Sequence, residues 1–151
     1  MSWIIACRDD KENFDRVLGC LLEANQAWAK DAGALILSVI RPTFAYNQKP
    51  NRVALHDLGQ AACQLSLQAV ATGLQVHQMG GVNLSRVRLE FGIPEDHEPQ
   101  TAIAIGYPDT SAPASPDQAE LNQRDIADRT RHPLEKQVFG GKWGQKAEIL
   151  G

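Results

Sequence analysis

A domain that mixes strands and helices is predicted by three observations. Strand-length runs of apolar residues occur at 2–8, 34–40, 74–79 and 100–107. Segments with apolar residues at helical spacing stand between them, the longest at 52–72. Gly, Pro or Asn punctuates most of the junctions. The chain has 151 residues, 43% hydrophobic and 22% charged, which predicts one globular domain. A chain of this length hides roughly 70% of its unfolded surface, so it needs no disulfide or metal staple.

Each element has its own signature. Residues 2–8 form the first strand, starting almost at the first residue. Residues 12–24 read as a helix, with Phe14, Val17, Leu18, Leu21 and Leu22 at helical spacing and Asp10 as N-cap. Residues 34–40 are nearly all apolar, as in a strand buried on both faces. The segment 42–50 is a loop between prolines. The helix 52–72 carries two apolar stripes, one of Leu55, Leu58, Ala62, Leu65 and Ala69, the other of Cys63, Leu67 and Val70. A helix apolar on more than one side is buried in a core or an interface, so this one is expected to be central and to touch a partner subunit. Gly73 is its C-cap candidate. Strand 74–79 follows, then Gly80-Gly81. Asn83 caps a short helix with Leu84, Val87 and Phe91 on its apolar face, stopped by Gly92 and Pro94. In strand 100–107, Ile103 and Ile105 alternate with Ala102, Ala104 and Gly106, giving one bulky face and one tight face. A loop at 108–116, a weak helix at 117–127 and a tail of little periodicity at 129–144 complete the chain.

Charge and composition exclude several function classes. Lys plus Arg number 15 against 18 Asp plus Glu, a net charge of −3 that disfavours general nucleic-acid binding. No apolar run approaches the ~20 residues of a membrane span, and no signal-peptide pattern opens the sequence. Three scattered cysteines, Cys7, Cys20 and Cys63, fit a reducing cytoplasm better than a disulfide framework. Cys20 and Cys63 read as small core residues rather than nucleophiles. The four histidines (His56, His77, His97, His132) show no ligand spacing, so a metal site is not expected.

Two places could carry chemistry. A strand ending in Met79-Gly80-Gly81 and leading to a capped helix makes a corner rich in backbone donors, which a flat ligand can approach. The plainer alternative is a tight turn. The late basic residues Arg124, Arg129, Arg131, His132, Lys136 and Lys142 form the second. Arg129 and Arg131 are two apart, so an extended backbone aims both guanidiniums to one side, an arrangement suited to a phosphate. The alternative there is a solvated charged face.

Several segments together resemble the nitroreductase family. They are Asn25-Gln-Ala-Trp-Ala-Lys-Asp-Ala, Asn51-Arg-Val-Ala-Leu-His-Asp-Leu-Gly-Gln-Ala, Gly73-Leu-Gln-Val-His-Gln-Met-Gly-Gly, Phe91-Gly-Ile-Pro, Thr101-Ala-Ile-Ala-Ile-Gly-Tyr-Pro, Arg129-Thr-Arg-His-Pro-Leu and Val138-Phe-Gly-Gly-Lys-Trp-Gly. They occur in family order and cover almost the whole chain. The resemblance implies an α+β fold with a central, mostly antiparallel sheet flanked by helices, the long helix lying at a homodimer interface. It implies FMN at that interface, NADH or NADPH as hydride donor, and nitroaromatic or quinone-like acceptors. It assigns Gly80 and Gly81 to the flavin edge, Asn25 to a flavin contact, Met79 to the same pocket, and Arg129 with Arg131 to the FMN phosphate. No catalytic acid or base is implied, because the flavin carries the redox chemistry.

The resemblance also implies a departure. Family members begin with a helical segment bearing an Arg-Arg-Ser-x-Arg phosphate motif and a Ser/Asn-rich stretch ending Gln-Pro-Trp. Trp3 matches that last tryptophan, so the expected unit is a single domain over 1–151, shortened at its N-terminus relative to the family. An exposed apolar patch is expected where the missing helices would pack. The alternative function is a non-catalytic, flavin-poor dimeric binding or structural domain.

Overall fold

The computed structural model of the protein describes residues 1–109 and 111–151, leaving out the Asp125 side chain. Two compact units are present, Met1–Asp109 and Thr110–Gly151. The first contains β1 (Ser2–Cys7), α1 (Lys11–Gly19), α2 (Glu23–Ala29), β2 (Ala34–Ile40), α3 (Ala54–Ala71), β3 (Gln75–Met79), α4 (Leu84–Glu90) and β4 (Glu98–Gly106). The second contains α5 (Pro116–Ile126) and two short 3₁₀ turns at Leu134–Lys136 and Glu148–Leu150. Of the loop expected at 108–116, Thr110 lies outside the described residues.

Four strands form one antiparallel sheet in the order β1-β2-β4-β3. The α+β class expected from the resemblance is thus the class observed. The alternation of residues along the strands divides the core in two. Leu35, Leu37 and Val39 of β2 and Ala102 and Ala104 of β4 share a cluster with Phe14 and Val17 of α1, Ala29 of α2 and Val87 of α4. On the other face Ile36 of β2 and Ile103 of β4 pack with Ala62 of α3. The bulky and tight faces read from β4 therefore each meet helices. β2 is buried along nearly its whole length, as its apolar run implies. Its one polar residue, Ser38, is satisfied: its hydroxyl lies 2.8 Å from the Thr101 hydroxyl and accepts from the Thr101 N–H at 2.9 Å, beside the register shift between Leu37 and Val39.

The ends of α3 show why it stops where it does. Gly73 adopts φ +84°, and the bonds Gly73 N–H to the Val70 carbonyl and Leu74 N–H to the Ala69 carbonyl complete a Schellman cap. The Asn83 side chain accepts from the Arg86 N–H, and the Asp10 side chain accepts from the Asn13 N–H, so both expected N-caps are formed.

One expectation needs correction. The single helix expected at 12–24 is two helices, broken at Cys20–Leu22, where Leu21 forms a bridge with Val82. The break follows Gly19, where residues 20–22 pair with 81–83 instead of continuing the helix: the Leu22 N–H donates to the Gly81 carbonyl and the Asn83 N–H to the Cys20 carbonyl. Of the two places expected for an all-round apolar helix, core or interface, the core takes one side of α3: Leu58, Ala62 and Ala69 face inward, while Leu67, Val70, Leu55 and Cys63 are exposed. An apolar surface is therefore left open on the outer side of α3.

Ile103 is fully buried. Ile103→Ala should cost about 2–5 kcal/mol of stability, read from urea unfolding. A pH effect is expected at Asp96, whose carboxylate accepts from His97 Nδ1 at 2.7 Å and pairs with Arg41 Nη2 at 3.1 Å. The His97 hydrogen bond above all, aided by the Arg41 charge, holds this carboxyl below its ordinary value of 3.8. A depressed folded-state pKa means that the stabilisation is present above the ordinary value and disappears as the pH falls through the lower one. Asp96→Asn should therefore flatten the loss of stability below about pH 4, measured as the urea midpoint across the acid range.

Candidate functional site

The corner after β3 is assembled from three chain segments. β3 ends at Met79, opposite Ala102 of β4, and Gly80-Gly81 leaves the sheet. The Gly81 carbonyl accepts two hydrogen bonds, from the Leu22 N–H at 3.0 Å and from Asn25 Nδ2 at 3.1 Å. The Gly80 carbonyl accepts from the Val82 N–H at 2.9 Å, and the Cys20 carbonyl accepts from the Asn83 N–H at 2.8 Å. Carbonyl groups on this turn are thus committed, which fixes its shape. The N–H groups of Gly80 and Gly81 have no acceptor among the described residues. Exposed main-chain donors on a rigid turn suit an electronegative atom of a ligand.

The two glycines serve different purposes. A Cβ at Gly80 would meet nothing within 4 Å, so that side is open to an incoming flat group. A Cβ at Gly81 would stand 2.5 Å from Asn25 Nδ2, so glycine is required there for Asn25 to reach the carbonyl. Leu22, 53% exposed, lies beside Gly81 and adds an apolar surface to the corner. A planar, partly polar ring fits these features: open glycine backbone, two free donors, one amide and one apolar side chain.

Of the residues singled out from sequence, Asn25 and Gly81 are in contact, with Gly80 adjacent. Met79 is 3% exposed, its side chain packed in the main core cluster, so it anchors the strand end and does not face solvent. Arg129 and Arg131 belong to the second unit, in the irregular exposed segment after α5, where Arg131 Nη1 donates to the Thr130 carbonyl. Cys20 is fully buried, and burial pushes its thiol above the ordinary range, which suits a core residue. Cys63 is exposed on α3, contrary to its reading as a core residue. Among the described residues no group of three or more His, Cys, Asp or Glu could hold a metal ion. No helix among them is long and apolar enough to cross a membrane.

Sequence reasoning missed two features. Leu22 was expected on the apolar face of one helix, whereas the break after Gly19 turns it outward. Trp28 of α2 stacks on His77 of β3, with ring centroids 4.5 Å apart at 47°. The paired aromatic residues stood in separate motifs, and only the fold joins them.

Fold and corner define an α+β protein with an antiparallel sheet between helices and an open, glycine-lined turn at one strand end. Residues 7–107 match the model of the nitroreductase family, and the chain belongs to that family. It is 35% identical over 133 residues to an uncharacterised 15.4 kDa protein in the ask 5′ region of Mycolicibacterium smegmatis, a match covering 88% of this chain and 86% of the relative. A solved structure described as an oxidoreductase containing FMN superposes with a TM-score of 0.83 at 28% identity, covering 96% of this chain and 72% of that one. A nitroreductase family protein of Clostridium difficile 630 shares the fold with a TM-score of 0.64 at 22% identity, covering 93% and 73%.

The Asn25–Gly81 contact makes a coupled prediction. Gly81→Ala should displace the Asn25 amide and lose a hydrogen bond of about 0.5–1.5 kcal/mol, and Asn25→Ala should lose the same bond. The double variant should cost little more than either single one, measured as a double-mutant cycle in urea.

Proposed function

We propose that this protein is an FMN-dependent oxidoreductase that takes hydride from NADH or NADPH and delivers it to an electron-poor acceptor of the nitroaromatic or quinone type. The observation that carries this reading is the pair of unpartnered N–H groups at Gly80 and Gly81, presented on an open turn in a nitroreductase-family chain. FMN, when bound, supplies the hydride-transfer chemistry.

The chain's own residues hold and orient. Gly80 and Gly81 would donate main-chain hydrogen bonds to the bound ring. Asn25 Nδ2 is committed to the Gly81 carbonyl, which leaves its oxygen as an acceptor for a ring N–H. Leu22 gives the ring an apolar surface, and the buried Met79 keeps the strand end from shifting. Arg129 and Arg131, two apart in the exposed segment of the second unit, would offer charge-assisted hydrogen bonds to a phosphate. The shelf is open on one side, and a second copy of the chain covers it. That homodimer forms through the outer face of α3, burying Leu55, Leu67 and Val70 and removing an exposed apolar surface. The cytoplasm is the compartment that supplies reduced nicotinamide and keeps the exposed thiols of Cys7 and Cys63 reduced.

The test is direct. The purified protein should run as a dimer, take up FMN with a yellow spectrum, and bleach on addition of NADH or NADPH without oxygen. A colourless protein that ignores added FMN would overturn the reading. The double variant Arg129→Ala/Arg131→Ala should bind FMN more weakly, by about 1.5–3 kcal/mol for each lost charged contact, measured by flavin fluorescence titration. Unchanged affinity would remove these residues from the site.

A further inference from the structure

The way α2 is held suggests a role for two residues outside the ligand shelf. α2 has seven residues and no side-chain hydrogen bond at its N-cap, Leu22. A helix this short has no stability of its own, so its position is set by its contacts. Two of those contacts reach the segment running from β3 into the glycine turn. At one end Leu22 and Asn25 bond to the Gly81 carbonyl. At the other Trp28 stacks on His77. Asn25 precedes Trp28 whereas Gly81 follows His77, so helix and strand run in opposite directions and the two contacts clamp them at separate points.

The partners differ in how firmly they are fixed. Trp28 packs against the main core cluster. His77 is exposed on β3, opposite Ala104 of β4, and its ring makes no hydrogen bond or ion pair among the described residues. The stack therefore fixes the His77 ring, and through it ties this end of β3 to α2. Without it α2 keeps the Gly81 attachment and the buried Ala29, the Trp28 side of the helix shifts against β3, and the direction of the Asn25 amide loosens.

We propose that Trp28 and His77 are positioning residues whose stacked rings set the Asn25 amide against Gly81 and so preorganise the shelf for the flavin. The proposal rests on the FMN reading for its consequence in binding, but its structural half concerns the free protein. It requires a flat ring at position 77, not a titrating group. An aromatic pair of this kind is worth roughly a 2- to 10-fold change in an equilibrium.

The experiment compares wild type, His77→Ala and His77→Phe by NMR of the Asn25 side-chain amide in the free protein, the signal being assigned with Asn25→Asp. In the wild type the two amide protons should be well separated and protected from solvent exchange. His77→Ala should bring them toward the values of an exposed asparagine, and His77→Phe should restore them. With FMN as probe, affinity should fall roughly 2- to 10-fold in His77→Ala and return in His77→Phe. An Asn25 signal unchanged in His77→Ala would overturn the proposal. So would a loss that His77→Phe fails to restore. If His77→Ala does not fold, Trp28→Phe against Trp28→Leu gives the same comparison. Should the wild type not bind FMN, the function reading fails by itself, while the Asn25 signal still decides the clamp.

Discussion

One carbonyl oxygen organises the glycine corner of the first unit. The Gly81 carbonyl accepts from the Leu22 main chain and from the Asn25 side chain, and so joins the end of β3 to the start of α2. Only a glycine lets Asn25 approach so closely, since any Cβ would stand within 2.5 Å of the amide nitrogen. The break in the first helical segment follows from the same link. Residues 20–22 bridge to 82 and 81 instead of continuing the helix, because that pairing satisfies main-chain groups on both segments at once. Elsewhere the pleat of the sheet does the organising work: alternate residues of β2 and β4 feed two separate cores, one under α1, α2 and α4, the other under α3.

The long helix α3 has two roles on its two sides. Leu58, Ala62 and Ala69 fill the space over the isoleucine face of the sheet. Leu55, Leu67 and Val70 remain in water, with Cys63 between them. Burying apolar area is the main favourable term in association as in folding, and this face offers it without a competing charge within the stripe.

Much of the fold was legible because each element carries a local signature. The doubly buried strand β2 shows as an unbroken apolar run, the end of α3 as Gly73, and the start of α4 as Asn83 with its side chain on the Arg86 N–H. The glycine corner was legible for the same reason: Gly80-Gly81 between a strand and a capped helix is a local pattern. The break at Cys20–Leu22 was not, because apolar residues at helical spacing fit one helix as well as two, and the partners of the break, residues 81–83, come about sixty residues later. The second stripe of α3 was legible as apolar, and periodicity is silent on what covers it.

The sequence by itself determined the places of the four strands along the chain, the caps at Asp10, Gly73 and Asn83, the glycine turn and membership of the nitroreductase family. Those properties depend on neighbours along the chain or on an ordered set of motifs. Tertiary structure alone decided that Asn25 meets Gly81, that Leu22 turns outward beside it, and that Trp28 stacks on His77. Each of these pairs joins residues about fifty or more positions apart, and only the packing of α2 along β3 sets the distance between them.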